Sequence, residues 1–375
     1  MSTLKTTNLQ NPSAGSPAIV LASDGTATAQ LSSINGGPLA GARNRIINGD
    51  MKIDQRNAGA SVTVNVASSV FSVDRWFGYG QATDGVFTLQ QSTDTPAGFV
   101  NSLKATVTTA DASIGASQIY LLTQIVEANN IDDLDWGKAT AKSATLSFWV
   151  KSSLTGTFGG SITNNSNFSY PFSYSISAAN TWEYKTVSVT GPTSGTWGTG
   201  VNAGLTVRLA LGAGSSQVGT AGAWTGSHLF GVTGQVNVIG TLNATFYITG
   251  VQLEAGSVAT PFERRSYGQE LALCQRYYFK NTYWGQGNGD TTNIANVNVT
   301  LPVTMRAQPS VTNDADTNGI AANGNLYNLT AASAQIQNGW WWGHHGYVSI
   351  TTNAQITRWT ACSARILNFQ ASAEL

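Results

Sequence analysis

Charged side chains are scarce in this chain. Asp, Glu, Lys and Arg make up 10% of its 375 residues, against roughly a quarter in ordinary soluble proteins. Nineteen basic residues balance nineteen acidic ones, so the net charge is zero. Nucleic acid and anionic membrane surfaces both need clustered positive charge, and neither is expected as a partner. No apolar run approaches the ~20 residues that span a bilayer, so membrane insertion is not expected. The N-terminus, MSTLKTTNLQNPSAG, has no hydrophobic signal core, which argues against export by the usual route. There are two cysteines, Cys274 and Cys362, and three histidines. One Cys–Cys pair is possible, but two reduced, buried thiols are the expectation. No spacing suggests a zinc site, a G-x-S-x-G elbow or a nucleotide loop. A glycoside hydrolase needs two facing carboxylates. Glu254 and Glu263 are the obvious acids, and a turn-bonding role accounts for them. No catalytic residue is assigned, and the protein is not expected to be an enzyme.

What the chain has is glycine, 40 residues of it, with many β-branched and aromatic side chains. Such a composition suits strands joined by tight turns. Solubility must come from hydroxyl and amide groups, which suits surfaces that touch neutral, hydroxyl-rich ligands. Period-two alternation recurs at Val62, Val64 and Val66; Phe87 and Leu89; Leu103, Ala105 and Val107; Leu146, Phe148 and Val150; Val187 and Val189; and Leu205, Val207, Leu209 and Leu211. Each such run implies one buried and one wet face. Gly-, Asn-, Asp- and Ser-rich turns separate them, so the fold class is all-β, most simply a jelly-roll β-sandwich. In FYITGVQLEA, Phe246 and Ile248 are expected on one face, with Tyr247, Thr249, Val251 and Leu253 on the other. Gly250 inside that run marks a bulge or a close backbone contact.

Four regions follow. Residues 1–42 read as an extended N-terminal arm, with one short strand at Ala18–Leu21; a disordered leader is an equal alternative. Residues 43–265 read as the jelly roll and 266–280 as a short helical joint, with Tyr267, Leu271 and Cys274 on one helix face. Residues 281–375 read as a smaller C-terminal β domain. Its strands include Val297, Val299 and Leu301, ended by Pro302, and Tyr347–Thr351. Its thin core suggests help from oligomerisation.

The stretch VQLEAGSVATPFERRSYGQELALCQRYYF (Val251–Phe279) resembles the junction in many tailed-phage tail-fibre and related virion appendage proteins. NRIINGDMKIDQR (Asn44–Arg56), FSVDRWF (Phe71–Phe77) and LSFWVKSS (Leu146–Ser153) resemble the same group. Together these motifs span roughly 44–280, about two thirds of the chain. The resemblance implies a jelly roll like those of carbohydrate-binding modules, a homotrimer, and a virion setting after synthesis in the host cytoplasm. It implies other virion proteins as partners through the N-terminal arm, and a host surface glycan as ligand. Two alternatives stay open: a structural virion protein that never touches the host, and a polysaccharide depolymerase.

For the glycan, Trp340, Trp341, Trp342 and Tyr347 are candidate contacts, because flat aromatic faces cover the C–H face of pyranose rings. The competing reading puts those rings in the core or on a trimer axis. Trp197 and Trp224 sit among Gly, Ser and Thr and are further candidates for a shallow groove. His344 and His345 would hold a metal only if a threefold axis tripled the ligands. Asp132, Asp133 and Asp135 would be the place for a structural Ca²⁺, but their spacing lacks the regularity of a calcium loop, and a solvated acidic turn is the favoured reading. No other cofactor is expected.

Overall fold

The structure is a computed structural model. It describes residues 8–9, 19–21, 23, 27–29, 42–65, 67–80, 84–164, 166–291, 294–312, 319–322, 325–328, 337–338, 345–351 and 361–375. Strands β1 (Asn8–Leu9), β2 (Ile19–Leu21) and β3 (Ala27–Ala29) pair as a small antiparallel sheet.

Two six-stranded antiparallel sheets form the main body. The first runs β13 (Glu183–Val189), β10 (Ala144–Ser152), β17 (Thr245–Ala255), β8 (Ser102–Thr109), β7 (Val86–Ser92), β4 (Val62–Val64). The second runs β12 (Ser169–Ile176), β11 (Gly156–Thr163), β14 (Ala203–Ala213), β9 (Ile119–Glu127), β6 (Phe77–Gly80), β5 (Val70–Phe71). From β8 onward the chain passes repeatedly from one sheet to the other, as in a jelly roll. The alternating apolar residues meet between the sheets. Trp76, Phe87, Phe148, Phe158, Phe172 and Phe246 are wholly buried there, each worth about 2–3 kcal/mol in apolar area removed from water.

One strand departs from simple alternation. Phe246, Ile248, Val251 and Leu253 all lie in this core, so the expectation that Val251 and Leu253 face away from Phe246 is corrected. The cause is Gly250. The β10–β17 register slips between the Ser147↔Gln252 and Trp149↔Thr249 pairs, and Gly250 takes φ +61°. The extra residue of a bulge shifts the side-chain parity. Even positions point inward before it, odd positions after it.

The NRIINGD segment is a clamp on this strand. The Asn44 side chain donates to the Val251 carbonyl (3.0 Å) and accepts from the Leu253 N–H (3.1 Å). A Cβ on Gly49 would lie 2.2 Å from the Val251 oxygen, so only glycine fits. Asn48, at φ +56°, donates to the carbonyls of Ile53 and Asp74.

Short strands β15 (Val218–Gly219) and β16 (Gly231–Val232) pair in parallel beside the second sheet. Helix α1 (Tyr267–Gln275) follows β17 and starts with a Ser266–Gln269 capping box. Its Cys274 packs with Tyr277, Ile47 and Ile53. Tyr267 is exposed, so it does not share the packed face that its spacing suggests. Burial pushes the Cys274 thiol up, and Cys362 is a buried thiol as well.

The C-terminal sheet comprises β18 (Tyr278–Thr291), β19 (Ile294–Thr300), β20 (Ser310–Thr312), β21 (Gly319–Ala322), β22 (Asn325–Asn328), β23 (Gln337–Asn338), β24 (His345–Thr351) and β25 (Ala361–Ser372). Val297, Val299 and Leu301 are buried along it.

Candidate functional site

The outer face of the second sheet carries a groove of about 630 Å³. That volume falls within the ~300–1,000 Å³ usual for small-ligand sites. Sheet register assembles its floor. Arg208 of β14, Thr123 of β9 and Phe77 of β6 stand side by side there as successive cross-strand partners, and Ser161 of β11 continues the row beyond the lining. The neighbouring row is Ala210, Leu121 and Tyr79. Because Val207 and Leu209 point into the core, Arg208 between them must point out.

The segment before β16 forms the roof. Ser227, His228, Leu229 and Phe230 line the groove from that side. The roof is tied down: the Ser169 hydroxyl donates to the Ser227 carbonyl (2.6 Å) and accepts from the Leu229 N–H (3.1 Å). Thr225 and Ser169 exchange backbone bonds, and the Phe230 N–H donates to the Gln217 carbonyl (2.9 Å). Phe230 is buried against Leu121 and Ala210, with Tyr79 at the edge of that cluster.

The polar groups of the groove are incompletely satisfied by the protein. The Arg208 guanidinium lies 5.1 Å from the Phe230 ring centre and donates to Thr163 Oγ1. Burial pulls its pKa down to about 10, which leaves it charged at neutral pH. Thr123 Oγ1 and His228 Nε2 of the lining, and Ser161 Oγ beside Arg208 outside it, are buried without a hydrogen-bonding partner among the described residues. Such atoms are uncommon and call for an explanation. Burial, with the nearby Arg208 charge second, pulls the His228 imidazole down from its ordinary value, which favours its neutral form. Among the described residues, the groove lining contains no carboxylate.

Of the candidates named from sequence, Trp197 and Trp224 are not part of this groove lining. Trp197 and Trp224 join Trp136 in a mutually edge-on cluster with ring centres 5.0–5.6 Å apart. Phe168 stacks on Trp224 at 5.2 Å. Both indoles are half-buried and donate to carbonyls, Trp197 to Ser194 and Trp224 to Thr190. Trp340, Trp341, Trp342 and His344 lie outside the described residues. Tyr347 and His345 fall in strand β24. Asp133 bridges Arg45 (2.6 Å) and Asp135 bridges Lys138 (2.6 Å). No three metal-binding side chains gather among the described residues.

Glu254 and Glu263 serve turns. Glu254 accepts from the Thr260 N–H (2.7 Å) and hydroxyl (2.6 Å), and Glu263 accepts from the Asn44 N–H (2.7 Å). No motif in the sequence marks Tyr79, Arg208, His228 or Phe230 as a group. One signal was present: Arg208 is the sole charge in the eleven-residue strand AGLTVRLALGA.

No protein-family model matches the chain, and no curated protein is similar to it. Among solved structures, it is similar to a family 4 carbohydrate-binding module, at 14% identity and a TM-score of 0.26, over 56% of this chain and 97% of that one. It is similar to the family 11 carbohydrate-binding module of Clostridium thermocellum, crystallised with a β-1,3-1,4-mixed-linked tetrasaccharide. There the identity is 11% and the TM-score 0.27, over 53% of this chain and 98% of that one. The enzymatically active domain of tailspike protein 4 of bacteriophage CBA120 matches at 15% identity and a TM-score of 0.30. That match covers 59% of this chain but 23% of the tailspike chain.

Proposed function

We propose that this chain is a tail-fibre or receptor-binding protein of a tailed phage, and that its sandwich recognises a glycan on the host surface. The observation that carries the glycan reading is the groove on the second sheet. Tyr79, only partly buried at the groove edge, offers an apolar ring face to pyranose C–H groups. Thr123 and His228 offer polar atoms left unpartnered among the described residues, suited to sugar hydroxyls. The floor is sheet and the roof is hydrogen-bonded down, so little ordering entropy opposes binding.

The role is recognition rather than turnover. Hydrolysis of a glycosidic bond ordinarily needs a pair of carboxylates, and the described residues of the groove lining include none. Weak contacts would be multiplied by a homotrimer and by several fibres per particle. The phage setting is carried by the sequence motifs, and attachment to the particle is assigned to the N-terminal arm.

The test is titration calorimetry with oligosaccharides released from the host envelope. Binding is expected for the wild type, and Tyr79→Ala should weaken it by about tenfold, in line with loss of one aromatic contact, at unchanged melting temperature. Absence of new reducing ends after long incubation is expected too. Envelope glycans that fail to bind, or a Tyr79→Ala protein that binds equally well, would refute the groove as the site.

A further inference from the structure

We infer that the ligand of this groove carries a carboxylate, as a uronic or other sugar acid does, and that Arg208 is the residue that receives it. This inference rests on the glycan reading above. It departs from the neutral ligand that the composition suggests.

The argument starts from how the chain treats its other sheltered cations. Arg45 is paired with Asp133, Arg56 and Arg75 with Glu374, Arg265 with Glu270, and Arg276 with Glu127. Lys151 is paired with Asp94 under the rings of Tyr247 and Trp182. Arg306 gives its fork to the carbonyls of Ala373, Val201 and Glu374. Arg208 makes no ion pair among the described residues, and its one protein acceptor is the neutral hydroxyl of Thr163. A sheltered charge without a counter-ion is costly, and proteins ordinarily pair it. Here the counter-ion position opens into a groove.

The neighbours fit the same ligand. Thr123, which lines the groove, flanks Arg208 across the sheet, and its unpartnered hydroxyl can donate to the same anion. Phe230 backs the guanidinium, which favours a planar group laid against its edge. A guanidinium fork matches carboxylate geometry with two parallel bonds. One cation with neutral hydroxyls balances one negative charge. That favours a carboxylate over a phosphomonoester, which carries nearly two.

The experiment uses the full-length protein and follows the ¹⁵N–¹H signals of the arginine Nε groups and groove amides. The probes are sodium glucuronate, sodium galacturonate, their methyl esters and glucose 6-phosphate. The acids should bind about tenfold or more tighter than the esters, the increment of a charge-assisted bidentate bond, and shift the Arg208 Nε signal most. Arg208→Gln should bring acid and ester to parity. Arg208→Lys, which keeps the charge but not the fork, should retain part of the preference, and it serves as the control if Arg208→Gln fails to fold. Equal binding of acid and ester would overturn the inference while leaving the groove as a sugar site. Tighter binding of glucose 6-phosphate would overturn the carboxylate assignment. If no probe or envelope oligosaccharide perturbs the groove, the glycan reading falls and this inference falls with it.

Discussion

Asp74 is wholly buried beneath the NRIINGD clamp. Gln55 donates to it from its backbone and side chain, and Arg56 attracts it, yet desolvation outweighs both and lifts its pKa to about 7. An unfolded Asp titrates near ~4. Between those values the folded protein holds a proton that the unfolded chain has released, so stability falls as pH rises. The contribution is fully present below about pH 4 and lost once pH passes about 7. Asp74→Asn should remove this slope. Urea midpoints at pH 5 and pH 8 should drop for the wild type by more than for the variant; equal drops would show that the proton is not there. Nothing in the string FSVDRWF distinguishes Asp74 from an exposed turn residue. Its burial follows from the Asn48 side chain and the chain around Ile53 closing over it.

Strand β17 shows how far alternation can be read. Its apolar content and its glycine are evident in the sequence. The inversion of its faces is not, because a bulge has the same composition as a regular strand and differs only in pairing. The site at Gly250 is tight as well as left-handed: a Cβ there would sit 2.7 Å from the Phe99 ring and 3.2 Å from Trp149. Gly250→Val should cost about 2 kcal/mol or more, from φ strain plus crowding, read as a lowered urea midpoint with unchanged slope. A midpoint equal to wild type would mean that the bulge relaxes freely. Strand β14 gives the opposite lesson. Its inward set, Leu205, Val207, Leu209 and Leu211, follows from alternation and is buried. Its outward Arg208 acquires meaning only from the strands placed on either side.

At the scale of the molecule, three ion pairs lie where the sandwich meets the C-terminal sheet. Arg56 and Arg75 both reach Glu374, near the far end of the chain. Arg276 pairs with Glu127 at 2.7 Å, and Tyr277 donates to the same carboxylate. Arg75 also lies 3.6 Å from the Tyr277 ring centre. Glu374→Gln would strip two sheltered guanidinium groups of their counter-charge, a loss of about 3–5 kcal/mol. Hydrogen exchange should quicken in β18 and β25 while the inner strands of the sandwich keep their protection. Uniform protection throughout would show that the joint does not depend on these pairs. The assembly we propose is a homotrimer. Sedimentation of the purified protein should return three times the 39.3 kDa chain mass, and a monomer at micromolar concentration would rule it out.

The chain itself determined an all-β body, most of its inward-facing residues and the absence of clustered charge, because period-two patterning and composition are local properties written one residue after another. The motifs from Asn44 onward carried the phage resemblance in the same local way. Tertiary structure alone decided where the groove lies. Ser161, Arg208, Thr123 and Phe77 come from four strands scattered over more than 130 positions, and only sheet register sets them in one row. The bulge at Gly250 and the proton on Asp74 depend likewise on partners distant in sequence, since pairing and desolvation are properties of neighbours in space.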